Sequence, residues 1–359
     1  MSEDRHTGTN DLERRYRRLL RAYPGDYRRE RGDEIVGTYL EVAGPDRRRP
    51  SPADAADLVR GGLRQRLRAV GAPDLAPGVR LAALLAFLTA TPLAAAWMVL
   101  EQHTPPAAGP LTAAWLAQGQ HTPPAVWNAP YVGPFLSLGV GVWLVWLLAV
   151  LPLALGSVRW TRRLTGAAVL ATVAVLPLAA LTGLPRPPLF VLLPQVALGL
   201  VALALPERLP TAARLLPLVA VGAAAVAAPN LLPRAEDFYV SYYGWTASQI
   251  LPWAAAALLV TVLLIGVGLA VRGDLRAGWA GVVLATPLGL MSLHVFAGAV
   301  DGVLHGAPRP GWSALAGTAV AVTVLGPALL PATIALRRRV TARLATPTAG
   351  RCPTCGTAR

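Results

Sequence analysis

The chain has 359 residues, 54% of them apolar and only 14% charged, with a mean hydropathy of +0.48; this excludes a soluble protein with a single core and an intrinsically disordered chain. Two cysteines are too few for a disulfide-stapled secreted scaffold. The formal charge of +14 rests on arginine alone. In a soluble protein it would point to nucleic acid, but in an apolar chain it is expected on loops facing anionic cytoplasmic lipid, so no direct nucleic-acid binding is expected.

The charge is unevenly placed. Up to Arg80 stand 17 arginines and 13 acids, and the remaining 279 residues hold 16 arginines and 6 acids. The pattern predicts three domains: a cytoplasmic Arg-rich helical head (1–78), a transmembrane domain (79–336) and a basic cytoplasmic tail (337–359). The fold class expected is all-α, a polytopic helical membrane bundle with a small three-helix N-terminal segment. The arginine, alanine, glycine and proline usage fits a GC-rich bacterial coding bias, and the expected location is the bacterial inner membrane.

In the head, Leu12, Tyr16, Leu19, Leu20 and Tyr23 recur at helical spacing and form one stripe. Pro24-Gly25 ends this helix. A second helix is expected from Asp26 to Ala43, with Ile35, Val36, Tyr39 and Leu40 inward. A third begins at Ser51-Pro-Ala-Asp54, which offers an N-cap, a proline at the first helical position and an acid in the first turn. Leu58, Leu63, Leu67 and Val70 make its apolar face. Three such helices form a marginal domain unless they pack on a membrane or a partner.

The strings Tyr16-Arg-Arg-Leu-Leu-Arg-Ala-Tyr-Pro-Gly-Asp-Tyr27, Arg28-Arg-Glu-Arg-Gly-Asp-Glu34 and Ala56-Asp-Leu-Val-Arg-Gly-Gly-Leu63 carry a resemblance. Over residues 10–70 the head resembles the short helical prefix segments found ahead of membrane domains in many bacterial proteins. These include permease prefix domains and the helical sensor segments that accompany PadR-type repressors. The resemblance implies a cytoplasmic adaptor or regulatory role, with a PadR-type repressor or another cytoplasmic protein as partner, and it implies no chemistry.

Beyond residue 78, runs of about 17 to 25 apolar residues without interior charge mark transmembrane helices. Eight emerge, at 79–100, 132–157, 164–183, 189–205, 212–228, 247–271, 278–300 and 313–336. The fourth and fifth are short and separated by Pro206-Glu-Arg-Leu-Pro210, so a merged or re-entrant pair leaving six or seven spans is the alternative. With the N-terminus inside, 13 arginines fall in internal loops and the tail, against three (Arg186, Arg234, Arg309) outside. The positive-inside rule therefore places both termini in the cytoplasm. No signal peptide is expected, because the first apolar run starts near residue 79. Aromatic residues near span ends, among them Trp97, Trp160, Trp279 and Trp312, fit an interfacial belt.

Candidate sites are few. His294 is the one ionisable group near mid-span, and Asp301 follows seven residues later on roughly the same helix face, a possible intramembrane polar site. The tail holds Cys352 and Cys355 in Arg351-Cys-Pro-Thr-Cys-Gly356, the form of one zinc-ribbon knuckle. Structural zinc takes four ligands, so a second chain would have to supply the other pair, and a homo-oligomer stays open. A thiol redox pair and an inert tail are the alternatives. The first external loop repeats Gln102-His-Thr-Pro-Pro-Ala107 as Gln120-His-Thr-Pro-Pro-Ala125; two imidazoles with Glu101 are a thin ligand set, and a local duplication accounts for the repeat. No nucleotide-binding loop, zinc-protease or serine-hydrolase motif occurs, so no enzyme and no firm cofactor are expected. Two functional readings follow: a regulatory or sensory membrane protein whose head binds a partner, or a transporter or permease subunit that borrows a separate ATPase.

Overall fold

A computed structural model describes residues 3–43, 47, 49–69, 72–102, 132, 134–231, 242–302 and 311–345. Among them every extended element is helical, with one isolated bridge between Val132 and Phe135. The chain divides into two compact units, one of residues 1–76 with 331–359 and one of residues 77–330.

The first unit holds α1 (Glu3–Leu19), continued by a 3-10 turn (Leu20–Ala22), α2 (Gly25–Ala43) and α3 (Pro52–Ala69). Its core is Leu12, Tyr16, Leu20, Tyr23, Val36 and Leu58, with Leu19, Ile35, Tyr39 and Leu40 packed around it. The expected stripes of the first two helices thus face inward. On α3 only Leu58 does so among the residues described in full, and Leu63 is 54% exposed. Glycine explains the difference. Gly62 takes the inward position, and a Cβ there would stand 2.7 Å from the Ala22 carbonyl carbon, so α3 crosses the end of α1 at backbone distance and turns Leu63 outward. The N-cap is as expected: the Ser51 hydroxyl accepts the Asp54 N–H at 3.0 Å, and the Asp54 carboxylate accepts the Ser51 N–H at 3.1 Å.

The second unit runs through α4 (Leu75–Glu101, from Pro77 on), α5 (Gly139–Leu148), α6 (Val150–Ala154), α7 (Val158–Thr182), α8 (Leu189–Ala202), α9 (Thr211–Leu231), α10 (Tyr242–Ala270), α11 (Arg276–Met291), α12 (Leu293–Ala297) with a π turn at Gly298–Gly302, and the first part of α13 (Trp312–Ala345). Five helices, α4, α7, α9, α10 and α13, are long and apolar enough to cross a membrane. The pair α11 and α12, bent by 64°, makes a sixth if it counts as one span.

Three of the eight expected runs take a different form, each with a local feature to match. The run 132–157 breaks at Ala149 into α5 and α6, where Pro152 has no N–H to offer the Leu148 carbonyl. The run 189–205 yields a helix of 14 residues, bounded by Pro188 and by the turn before Pro206. The run 278–300 bends at Ser292, whose backbone (φ −90°, ψ 11°) leaves the helical region.

Buried Trp97, Trp143, Trp146, Phe87, Leu153 and Leu198 form the centre of this unit. Contacts between helix ends give the chain directions. Leu138 N–H donates to the Pro185 carbonyl at 2.9 Å, and Leu136 N–H to that of Glu101 at 3.1 Å, which gathers the end of α4, the start of α5 and the end of α7. At the opposite ends, Arg162 Nε donates to the Leu205 carbonyl at 3.0 Å. Gly156 is so close to Arg214 that a Cβ would lie 2.9 Å from its Nη1, and a Cβ on Gly78 would stand 2.8 Å from the Arg276 carbonyl.

Candidate functional site

The broken helix carries the polar pair expected from sequence. The His294 ring meets Phe190 of α8 edge-on, with centroids 4.3 Å apart, beside Ser248 and Pro252 of α10. Asp301, on the π turn, accepts the Gly311 N–H at 2.6 Å and so joins the two ends of the connection into α13. The shared face was expected of a continuous α-helix. Asp301 stands on a π turn, which has about one residue more per turn and so changes that spacing. Cys352, Cys355 and the repeated histidine segment 103–125 lie outside the described residues. Among the described residues no group of three or more His, Cys, Asp and Glu side chains is placed to hold a metal.

A second cluster had no signature in the sequence. Glu101 closes α4 fully buried; its carboxylate accepts the Ser137 N–H at 2.8 Å and the Ser137 hydroxyl at 2.6 Å. The Ser137 oxygen in turn accepts the Gly139 N–H at 3.0 Å. Gly139 has to be glycine here, because a Cβ would press on the carboxylate and lie 2.6 Å from Pro187 Cγ and 2.9 Å from Ser137 Oγ. Deeper in the unit, buried Gln195 donates to the Ala90 carbonyl at 2.9 Å, and Trp146 Nε1 donates to Thr172 Oγ1 at 3.1 Å. In an apolar surround each pairing fixes helix register, since an unmet polar group there is costly.

Alongside α7 and α8 lies a cleft of about 950 Å³, closed by Leu293 of α12 and by Trp312, Leu315, Ala316 and Ala319 of α13. Its lining is aliphatic or aromatic apart from one charged side chain, Arg186, in the Pro185-Arg-Pro-Pro188 connection.

In the first unit a polar seam runs over the core. Tyr16 donates to Asp54 at 3.2 Å and Tyr39 to Asp57 at 2.7 Å. Burial raises the pKa of both phenols, reinforced by the neighbouring carboxylates. Hydrogen bonds from Ser51, with help from Tyr16 and Arg47, hold the Asp54 carboxyl below its ordinary value.

No protein-family model, curated protein or solved structure matches this chain.

Proposed function

We propose that the chain is a regulatory or sensory protein of the bacterial inner membrane, with the N-terminal head as a partner-binding adaptor and both termini cytoplasmic. The observation that carries this reading is the head's own hydrophobic core under a surface of outward arginines, Arg14, Arg15, Arg18, Arg28 and Arg29 among them. Every residue of that core comes from α1 to α3 and the segment joining α1 to α2, so the head builds it from its own sequence. The internal connections at 155–157, 203–210 and 271–275 are too short to dock an ATPase. A PadR-type repressor is the partner that the prefix resemblance suggests.

Eight crossings remain the proposed count, and the paired helix ends support it. The segment Gly139–Ala154 starts where Glu101 and Pro185 meet and ends beside Arg214; α7 and α8 likewise connect those two ends in opposite directions. At 14 residues α8 is only about 21 Å long, so Pro187–Pro188 and the turn at 203–205 would complete its passage, with Arg186 at its outer edge. Arg159, Arg162, Arg208, Arg214, Arg272 and Arg276 then share one side, as the positive-inside rule requires.

A second reading, a permease subunit served by a separate ATPase, draws support from the helix broken beside His294, a device transporters use at substrate sites. One experiment separates the two. Tagged protein purified from its native host after brief cross-linking is compared with a variant lacking residues 1–78, and partners are identified by mass spectrometry. A transcription factor lost with the head supports the adaptor; an ATPase retained without it supports the permease.

A further inference from the structure

We propose that the cleft between α7, α8 and α13 is a binding site for one anionic phospholipid, its phosphate on Arg186 and one acyl chain between Leu176, Leu193 and Leu315. The inference deepens the sensory reading by naming a ligand class, and it rests on the helices crossing a bilayer. It does not require the head to be an adaptor.

Three observations converge. The first is size and lining. About 950 Å³ bounded by aliphatic side chains from four helices lies in the upper range of ordinary ligand sites, about 300 to 1,000 Å³, and an apolar cleft takes an apolar chain. The second is charge. Arg186 is the only ionic group in the lining, its described side-chain hydrogen bond goes to the Pro187 carbonyl at 3.2 Å, and no carboxylate pairs with it among the described residues. A guanidinium offers a phosphate two parallel N–H donors. The third is level. Trp312, 74% exposed, and Arg186, also exposed, line the same cleft, and an exposed tryptophan at a span end settles in the headgroup region. The guanidinium therefore stands at headgroup depth with an apolar slot leading away from it. A soluble anion would use the arginine and leave the slot empty; a neutral lipid would use the slot and leave the arginine idle.

The same cleft explains why α13 can border a cavity without losing its place. Its apolar window is only 6% buried, and it meets α11 through two close approaches, Gly289 against Val322 and Gly326 against Thr286. The rest of its face is free to border a lipid chain.

The test uses the full chain in mild detergent, examined by native mass spectrometry with phosphatidylglycerol or phosphatidylcholine of identical acyl chains. One phosphatidylglycerol per chain should be retained, favoured over phosphatidylcholine by about tenfold, the size of one good charge-assisted contact. Arg186→Gln, at an exposed position, should abolish the preference. Ala316→Phe should block retention with Arg186 intact. Arg159→Gln, elsewhere on the surface, should leave both unchanged. Equal retention of the two lipids, a preference that survives Arg186→Gln, displacement by palmitate as effective as by phosphatidylglycerol, or no stoichiometric lipid would each overturn the proposal. Partner capture by the head is measured separately, so the loss of lipid selectivity and the loss of the adaptor reading are distinguishable results.

Discussion

Removing the Glu101 carboxyl should loosen the junction of α4, α5 and α7 more than any other single polar change in the second unit. The two hydrogen bonds it accepts from Ser137, at 2.8 and 2.6 Å, each contribute about 1.5 to 3 kcal/mol with a charged acceptor. Glu101→Ala also leaves the Ser137 N–H without this acceptor in a buried position. The Ser137 hydroxyl can turn elsewhere, so the expected loss is about 3 to 5 kcal/mol. Glu101→Gln is a sharper probe. Its amide oxygen can take the Ser137 N–H while its NH2 donates to Ser137 Oγ, which reverses the second pairing, turns the Ser137 hydroxyl proton elsewhere and loses the charge assistance, about 1 to 2 kcal/mol in all. The assay is unfolding of the full chain in mixed micelles of rising SDS fraction, followed by helical circular dichroism, with Ser137→Ala completing a double-mutant cycle. The order wild type, Gln, Ala, with a coupling of about 1 kcal/mol or more to Ser137, is expected. Equal values for Gln and Ala, or an Ala variant within 0.5 kcal/mol of wild type (about the scatter of neutral surface changes), would refute a structural role for the carboxyl.

Other consequences are equally direct. Gly139→Ala should imitate part of the Glu101→Ala loss in the same titration, because its Cβ would displace the carboxylate from Ser137. In the head, Gly62→Ala should cost about 1 to 3 kcal/mol through overpacking against the Ala22 backbone. Hydrogen exchange of α1 to α3 in the full chain reads it, and unchanged protection would show that the backbone approach is not needed. Asp54 has a lowered pKa in the folded head, so its contribution is complete above the ordinary carboxylate value and is lost as pH falls through the folded one. Exchange protection of α3 should therefore drop between about pH 4 and the lowest accessible pH, and Asp54→Asn should remove that part of the pH dependence. Gly326→Leu should increase exchange in α13 while α4 to α8 keep theirs, since the glycine lies against Thr286 of α11.

The sequence made the helical character legible because composition and periodicity act locally. Leu12, Tyr16 and Leu20 could be placed in a core from spacing alone, and Ser51 with Asp54 announced a helix start that the hydrogen bonds reproduce. Long-range features escaped. Hydropathy counts apolar residues and is blind to backbone bends, so the pair bent at Ser292 read as one run. Leu63 read as core because periodicity does not register that glycine at 62 brings two backbones together. Glu101 drew notice only as a companion to nearby histidines; its pairing with Ser137 depends on where a chain 36 residues further on returns. Arg186 counted as one external charge, and its place on an apolar cleft depends on α13, which begins 126 residues later.

The bond from Gln195 to the Ala90 carbonyl spans 105 residues, and this sets a schedule for biogenesis. At about 5 to 20 residues per second, synthesis of that interval takes about 5 to 20 s. During that time α4 is already made while its partner is not. Gln195 arrives later as an amide inside a helix of only 14 residues, a segment with little apolar length to retain it in a bilayer on its own. Docking on α4 gives that amide its acceptor, so the earlier helix acts as an assembly platform for the later one. Gln195→Leu would relieve the dependence: the segment should partition into the membrane sooner, and its position would then be set by shape alone.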